Sequence, residues 1–261
     1  MTKNKTALIT GASSGIGYDL AHIHAEKGGN LVIVARREDK LKELKETLEK
    51  RYGIQVMTVV KDLGLPNAPL EVYEEVKQAG IKVDYLINNA GFGGRGKFHE
   101  RDWEKDLAMI HLNIIALAAL TRLFLPDFVK RNTGKIMNVS STASLMPGPL
   151  QAVYFATKAF VTSFSNAIAG ELHDTKVTVT SLLPGATETE FLSTANLNNT
   201  DMVKSTASSR KVAEDGYNGM LEGKLNVITG LPFSQRIQVA AMPLLPKSML
   251  LKTVRQMQEV K

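Results

Sequence analysis

The chain has 261 residues, 44 % of them hydrophobic and 22 % charged, a size and balance that suit one globular domain over 1–261. It contains no cysteine, which excludes disulfides, thiolate-bound metal and cysteine nucleophiles together. The net charge of +6 is spread among acidic neighbours, as in "RREDKLKELKETLEKR", so it reads as a solvated helix face and argues against nucleic acid as a partner.

Taken in chain order, the first apolar run begins at Thr6 and passes straight into a glycine turn, with no signal-peptide order of charged, apolar and cleavage regions. A cytoplasmic location is therefore expected. Strand patterns fall at 6–10 (TALIT), 31–35 (LVIVA), 54–60 (IQVMTVV), 83–88 (VDYLIN), 134–140 (GKIMNVS), 177–183 (VTVTSLL) and 226–229 (NVIT). Between them, helical periodicity covers about 15–27, 38–52, 68–79, 101–131, 150–173 and 208–221. This alternation predicts an α/β fold, a Rossmann-type doubly wound sheet of seven parallel strands with helices on both faces. The longest uninterrupted apolar run within 101–131, Ile114 to Leu120, is short of the ~18 residues that a bilayer span needs, so no transmembrane segment is expected. Two regions break the rhythm. The polar stretch from 185 to about 210 follows a strand end, where ligands of open α/β sheets sit, and reads as a mobile lid. The tail 231–261 is apolar and interrupted by Pro243 and Pro246; a subunit contact or a cover over the core is expected of it rather than a membrane-surface helix.

The turn after the first strand, "TGASSGIG", admits two readings. Gly11 to Gly15 fits the G-x-S-x-G elbow of a nucleophilic serine, but such an elbow tops a strand embedded later in the chain and is followed by its acid and its histidine. Here the last of the five histidines is His173, and none has the setting of a catalytic base. His22 and His24, two apart, diverge on a helix, so no metal is expected. The alternative is a cradle for a dinucleotide pyrophosphate: strand, tight turn, helix. Gly11 allows the turn, Gly15 lets backbone approach the phosphates, Gly17 permits close helix packing, and Ser13 and Ser14 offer hydroxyls. The second strand ends in Ala35-Arg36-Arg37 where an acidic residue would select NAD; two guanidiniums suit a 2′-phosphate, so NADP(H) is the expected cofactor. Asp62, at the end of the third strand, is placed to bond the adenine amine, with Leu63 beside it.

Tyr154 and Lys158 lie four apart in "AVYFATKAF" and share one helix face. A nearby ammonium favours a phenolate, which predicts a tyrosine acidified below its ordinary pKa of ~10. Ser141 closes the strand thirteen residues earlier, and Asn113 interrupts the apolar "HLNIIALAAL", where a buried amide must find partners. "NNAG" (88–91) and "PGATET" (184–189) end two further strands, so all these segments converge on one sheet edge.

TGxxxGxG (Thr10 to Gly17), NNAG (Asn88 to Gly91), Asn113, Ser141, YxxxK (Tyr154 to Lys158) and PGxxxT (Pro184 to Thr189), in this order, resemble the short-chain dehydrogenase/reductase family up to about residue 230. The resemblance implies Tyr154 as general acid or base, Ser141 holding the substrate oxygen, Lys158 on the nicotinamide ribose and Asn113 anchoring a water in a proton relay. It also implies that Ser13, Ser14 and Ile16 line the pyrophosphate and ribose, and that Asn89, Ala90, Gly91 and Thr189 lie against the adenosine and nicotinamide portions. Pro184, Gly185 and Thr187 border the nicotinamide, Thr187 standing where the family more often has Val or Ile. The implied reaction is hydride transfer between NADP(H) and a ketone, aldehyde or secondary alcohol, by a homodimer or homotetramer. Phe92, Ala143, Leu145, Met146, Phe155 and Phe191 flank these motifs and suggest an apolar substrate. A catalytically idle NADP-binding sensor is the alternative, although such a protein typically loses the Tyr or the Lys.

Overall fold

The structure, a computed structural model, describes residues 2–197, 200 and 206–259. In chain order it runs β1 (Thr6–Thr10), α1 (Gly15–Glu26), β2 (Asn30–Ala35), α2 (Glu38–Tyr52), β3 (Val56–Val60), α3 (Ala68–Gln78) and β4 (Tyr85–Asn88). A long helix follows in three parts, α4 (Trp103–Ile110), a π-helical segment His111–Ala116, and α5 (Leu117–Lys130). Next come β5 (Gly134–Val139), a 3-10 turn Thr142–Leu145, α6 (Ala152–Glu171) and β6 (Val177–Pro184). The chain then forms β7 (Thr187–Glu188), α7 (Phe191–Thr194), β8 (Ala207–Ser208), α8 (Ser209–Glu222), β9 (Asn226–Thr229), α9 (Phe233–Ala241) and α10 (Lys247–Gln258).

Seven strands form one parallel sheet in the order β3-β2-β1-β4-β5-β6-β9. The chain winds outward from β1 to β3, then returns to β4 on the other side of β1, which leaves a crevice at the carboxyl edge between β1 and β4. Period-2 alternation decides which residue faces which layer. Ile9, Ile33 and Ile87 point to the core under α1, α2 and α8, where Leu20, Leu44 and Tyr217 meet them. Leu8, Val32 and Leu86 point the other way, to Val72 of α3 and Leu120, Phe124 and Phe128 of α5. Helix α2 buries Leu41, Leu44 and Leu48, a three-four spacing, and stops at Gly53 in the left-handed conformation (φ 63°) that glycine tolerates.

The expected sheet is present, with strand and helix boundaries close to those read from the pattern. Trp103–Lys130 is, among the described residues, the one helix long and apolar enough to cross a membrane, with a mean hydropathy of 1.8 over its best window. In this fold that apolar character serves the sheet, because Leu120, Phe124 and Phe128 are buried against it. The expected lid is ordered at both ends, where Thr187–Glu188 pairs in parallel with Ala207–Ser208; positions 198, 199 and 201–205 lie outside the described residues. The tail, expected as a subunit contact or a cover over the core, folds into α9 and α10, with Pro246 at the N-cap of α10, a position that needs no helical N–H.

Candidate active site

A cleft of about 830 Å³ runs along the carboxyl edge of the sheet. Of the residues expected at the site, all line it except Gly17 and Asn113. At one end lies the glycine turn. Gly11 adopts φ 66° and donates its N–H to the Val34 carbonyl at 2.8 Å, and a Cβ there would stand 2.9 Å from Ala90 Cα. Gly17 faces inward instead, where a Cβ would crowd Asn89 Nδ2 and the Gly11 carbonyl, so its role is packing. The Asn89 side chain braces the turn: Nδ2 donates to the Thr10 carbonyl at 2.9 Å and the Gly11 carbonyl at 3.2 Å. Thr10 Oγ1 in turn accepts from the N–H groups of Asn89 and Ala90 at 3.0 Å each. Asn89 thus holds the turn while lining the cleft. Helix α1 starts after Ser14 with no side-chain cap and no acid in its first turn, which leaves its N-terminal amides and positive dipole end open to an anion.

The two arginines behave differently. Arg37 lies against the turn, donating from Nη2 to Ser13 Oγ at 3.1 Å, and pairs with Glu190 across the cleft mouth at 3.1 Å. Arg37 and the Ser14 hydroxyl together hold the Glu190 carboxyl below its ordinary range. Arg36 is 76 % exposed in its side chain and makes only a 3.8 Å approach to Asp62. Asp62 Oδ1 accepts the Gly64 N–H at 2.9 Å, and Leu63 beside it is buried.

In the middle of the cleft stand Ser141, Tyr154 and Lys158. Lys158 is buried, donates from Nζ to the Val139 carbonyl at 2.8 Å, and sits 5.9 Å from the centre of the Tyr154 ring. Its backbone carbonyl accepts from Ser140 Oγ at 2.9 Å, tying α6 to the end of β5. Ser141 Oγ accepts the Ala143 N–H at 3.1 Å, which fixes the hydroxyl at the start of the 3-10 turn. The expectation of an acidified tyrosine is not met: burial pushes the Tyr154 phenol up to about 12, opposed only by the adjacent Ser141 hydroxyl. Desolvation also acts on Lys158, lowering it to about 8. Both groups are out of water, and that loss of solvent is the leading cause of both shifts.

Asn113 lies behind the cleft, on the π-helical segment, and is buried. Its Nδ2 donates to the Phe92 carbonyl at 2.9 Å and to Thr157 Oγ1 at 3.1 Å, while Oδ1 accepts the Phe92 N–H at 3.1 Å. Both ends of the amide are therefore engaged, and they tie the Phe92 backbone, which borders the cleft, to Thr157 of α6. Asn88 likewise turns away from the cleft, donating to Thr121 Oγ1 at 3.1 Å and Asn138 Oδ1 at 2.9 Å, which cross-links β4, β5 and α5.

On the β6 side, Thr187 Oγ1 donates to the Gly185 carbonyl at 3.0 Å, and the Thr189 methyl lies so close to Gly15 that a Cβ there would come within 2.9 Å. Phe191 packs its ring 5.2 Å from that of Tyr154. The far end holds residues the sequence reading did not anticipate: Gln151 from the start of α6, and Gln238, Met242, Val254, Met257 and Gln258 from the tail. Leu250, Val254 and Gln258, spaced by four and buried, carried the helical signal that the two prolines obscured.

Residues 5–200 match the family model for short chain dehydrogenases, and the chain belongs to that family of oxidoreductases. The very-long-chain 3-oxoacyl-CoA reductase of Rattus norvegicus is 33 % identical over 186 residues, 68 % of this chain but only 58 % of that protein. The chain therefore spans little more than half the length of that relative. An NADP-dependent 3-hydroxy acid dehydrogenase of Schizosaccharomyces pombe is 34 % identical over 192 residues, 72 % of this chain and 73 % of that protein. Among solved structures, a short-chain dehydrogenase from Sphingobium yanoikuyae in complex with NADPH superposes with a TM-score of 0.83 at 32 % identity, covering 90 % of this chain and 91 % of its own.

Proposed function

We propose that the chain transfers a hydride between NADP(H) and a ketone, aldehyde or secondary alcohol with apolar flanks, with Tyr154 exchanging the proton. The observation that carries this reading is one continuous cleft joining the glycine turn and Arg36 to Ser141, Tyr154 and Lys158. The residues fit a dinucleotide: a turn that excludes side chains at Gly11 and Gly15, uncapped amides of α1, and an exposed cation at Arg36 that approaches Asp62 no closer than 3.8 Å. Ser13, Ser14, Gly15 and Ile16 would hold the pyrophosphate, Arg36 and Arg37 the 2′-phosphate, and Asp62, Leu63 and Ala90 the adenine. Gly91, Pro184, Gly185, Thr187, Thr189 and Lys158 would border the nicotinamide riboside. The NADPH-bound and NADP-dependent relatives support the same choice. When bound, the cofactor supplies the hydride donor or acceptor.

The protein's own groups handle the proton. With its pKa raised to about 12, the Tyr154 phenol is protonated at neutral pH and ready to donate to an oxygen gaining negative charge. Ser141, fixed by the Ala143 N–H, orients that oxygen. Lys158, at about 8, is mostly cationic at neutral pH and stabilises the charge left on the phenol once its proton has gone. Reduction is the direction these protonation states favour. The exposed apolar residues Ile115, Val129 and Phe160 on the long helices support assembly into a homodimer or homotetramer. A panel of ketones and aldehydes, followed by loss of NADPH absorbance beside NADH, tests the assignment. The expected outcome is turnover of apolar ketones with NADPH at least about tenfold faster than with NADH, the size of effect one charge-assisted contact to the 2′-phosphate supplies. NADPH binding without turnover across the panel would instead make the chain an idle sensor.

A further inference from the structure

Beyond Tyr154, at the end of the cleft away from Arg36, two glutamines are buried without partners. Gln151 is 1 % exposed and Gln258 is 0 % exposed, and both line the cleft. Among the described residues, neither the amide oxygen nor the amide nitrogen of either one finds a hydrogen-bond partner. Each such group left unsatisfied costs about 1–3 kcal/mol, so two complete amides in this state point to a ligand that satisfies them.

The protein holds both amides in place by separate means. Gly96 N–H donates to the Leu150 carbonyl at 2.8 Å, and Arg95 Nε, one residue earlier, donates to the Gln258 carbonyl at 2.6 Å. The loop at 95–96 therefore ties the start of α6 to the end of α10. Leu150 is kept at φ 67°, a conformation that costs a non-glycine residue about 1–3 kcal/mol and persists only where its surroundings enforce it. Val254, one turn before Gln258, packs in the same buried cluster as Tyr154 and Phe155, and Gln151 precedes Tyr154 by three residues. Gln151 thus immediately precedes the helix that carries Tyr154, and Gln258 lies one turn beyond a residue packed in the Tyr154 cluster. The charged residues lining the cleft are Lys158 in its middle and Arg36, Arg37, Lys61, Asp62 and Glu190 at the opposite end; around the glutamines the walls are neutral.

We propose that Gln151 and Gln258 form a subsite for a second, neutral hydrogen-bonding group of the substrate, a carbonyl of an ester, thioester or amide, carried on an apolar scaffold a few bonds from the reacting ketone. The Nε2 donors of each glutamine suit the oxygen of a neutral carbonyl, and the N–H of an amide would serve the Oε1 acceptors as well. A carboxylate there would be desolvated away from the charges that line the cleft, with the nearby Arg95 already donating to the Gln258 backbone carbonyl. The identity of the reacting group rests on the reductase reading; the subsite itself does not.

The test uses the full chain with NADPH and three matched probe sets: methyl oxodecanoates with the ketone at positions 3 to 6, the free oxo acids, and the corresponding decanones. For at least one ester, kcat/KM is expected to exceed that of its acid and its decanone by about tenfold or more. In Gln258→Met and Gln151→Met, near-isosteric variants without the amide, that ester-to-decanone ratio should fall towards one. Both variants should also melt above the native chain when no ligand is present, because each loses an unpartnered buried amide. A ratio unchanged in both variants, no ester preference in the native chain, or preference for the acid overturns the subsite. Calorimetric titration with the same esters separates this proposal from the reductase reading: ester binding that disappears in the variants, without turnover of any ketone, upholds the subsite and sinks the reductase. Turnover with an unaltered ratio does the reverse.

Discussion

At its Arg36 end the cleft is walled by backbone and by charge: a positive-φ glycine at Gly11, the uncapped start of α1, two arginines, Asp62 and Glu190. At its Gln258 end the walls are methionine, valine, phenylalanine and neutral amides, drawn from α6 and from two helices at the other end of the chain. The first end is assembled from neighbouring βα units and presents groups that recognise phosphate wherever they occur. The second is assembled by long-range packing and presents groups whose meaning depends on what else is buried beside them. Tyr154 stands between, answering to both. The contrast implies a division of labour in which one end binds the cofactor and the other selects the substrate.

The largest expected effect lies at the boundary. Tyr154→Phe should lower turnover by about 10²–10⁴-fold, the usual worth of a general acid, while NADPH affinity measured by fluorescence titration stays within about threefold. Equal loss of both would merge the two ends into one binding surface. Next comes pH. Lys158, lowered to about 8, carries its charge below that pH and loses it above, whereas the phenol stays protonated up to about 12. The kcat/KM for ketone reduction should therefore fall by close to tenfold per pH unit above about 8, and a profile flat to pH 10 would remove Lys158's charge from the chemistry. Arg36→Ala should then cut the preference for NADPH over NADH by roughly 10–100-fold, the worth of a charge-assisted bond of about 1.5–3 kcal/mol, with little effect on which ketone is preferred. The smallest effect is expected of Glu190→Gln. Removing a carboxylate from the phosphate end should tighten NADPH about two- to threefold, since the exposed pair with Arg37 that it weakens is worth little.

The same division governs what could be read from the sequence. Glycine turns, alternating strands and a Tyr–Lys pair four apart are local patterns, so the sheet and its edge follow from spacing, whereas cleft residues such as Ile16, Ala90, Gly91 and Thr189 follow from the resemblance to the family. The π-helical segment at His111–Ala116 leaves the apolar period nearly intact, and only Asn113 within it hinted at a deviation. That Asn89 braces the glycine turn and Asn113 the Phe92 backbone is a matter of rotamer and partner, which spacing does not carry. The direction of the Tyr154 shift depended on burial, and a helical pair drawn on paper has none. The helices of the tail are hidden for a different reason, since prolines that break a helix in its interior also start one, as Pro246 does for α10.

The most direct test follows the hydride itself. NADPH carrying deuterium at C4 of the reduced ring is incubated with a ketone of the apolar panel, and the alcohol is examined by mass spectrometry. One deuterium on the carbinol carbon, delivered from a single face of the nicotinamide and absent over the same interval with Tyr154→Phe, is the predicted result. Alcohol without the label, or NADPH bound beside an unreduced ketone, would contradict it.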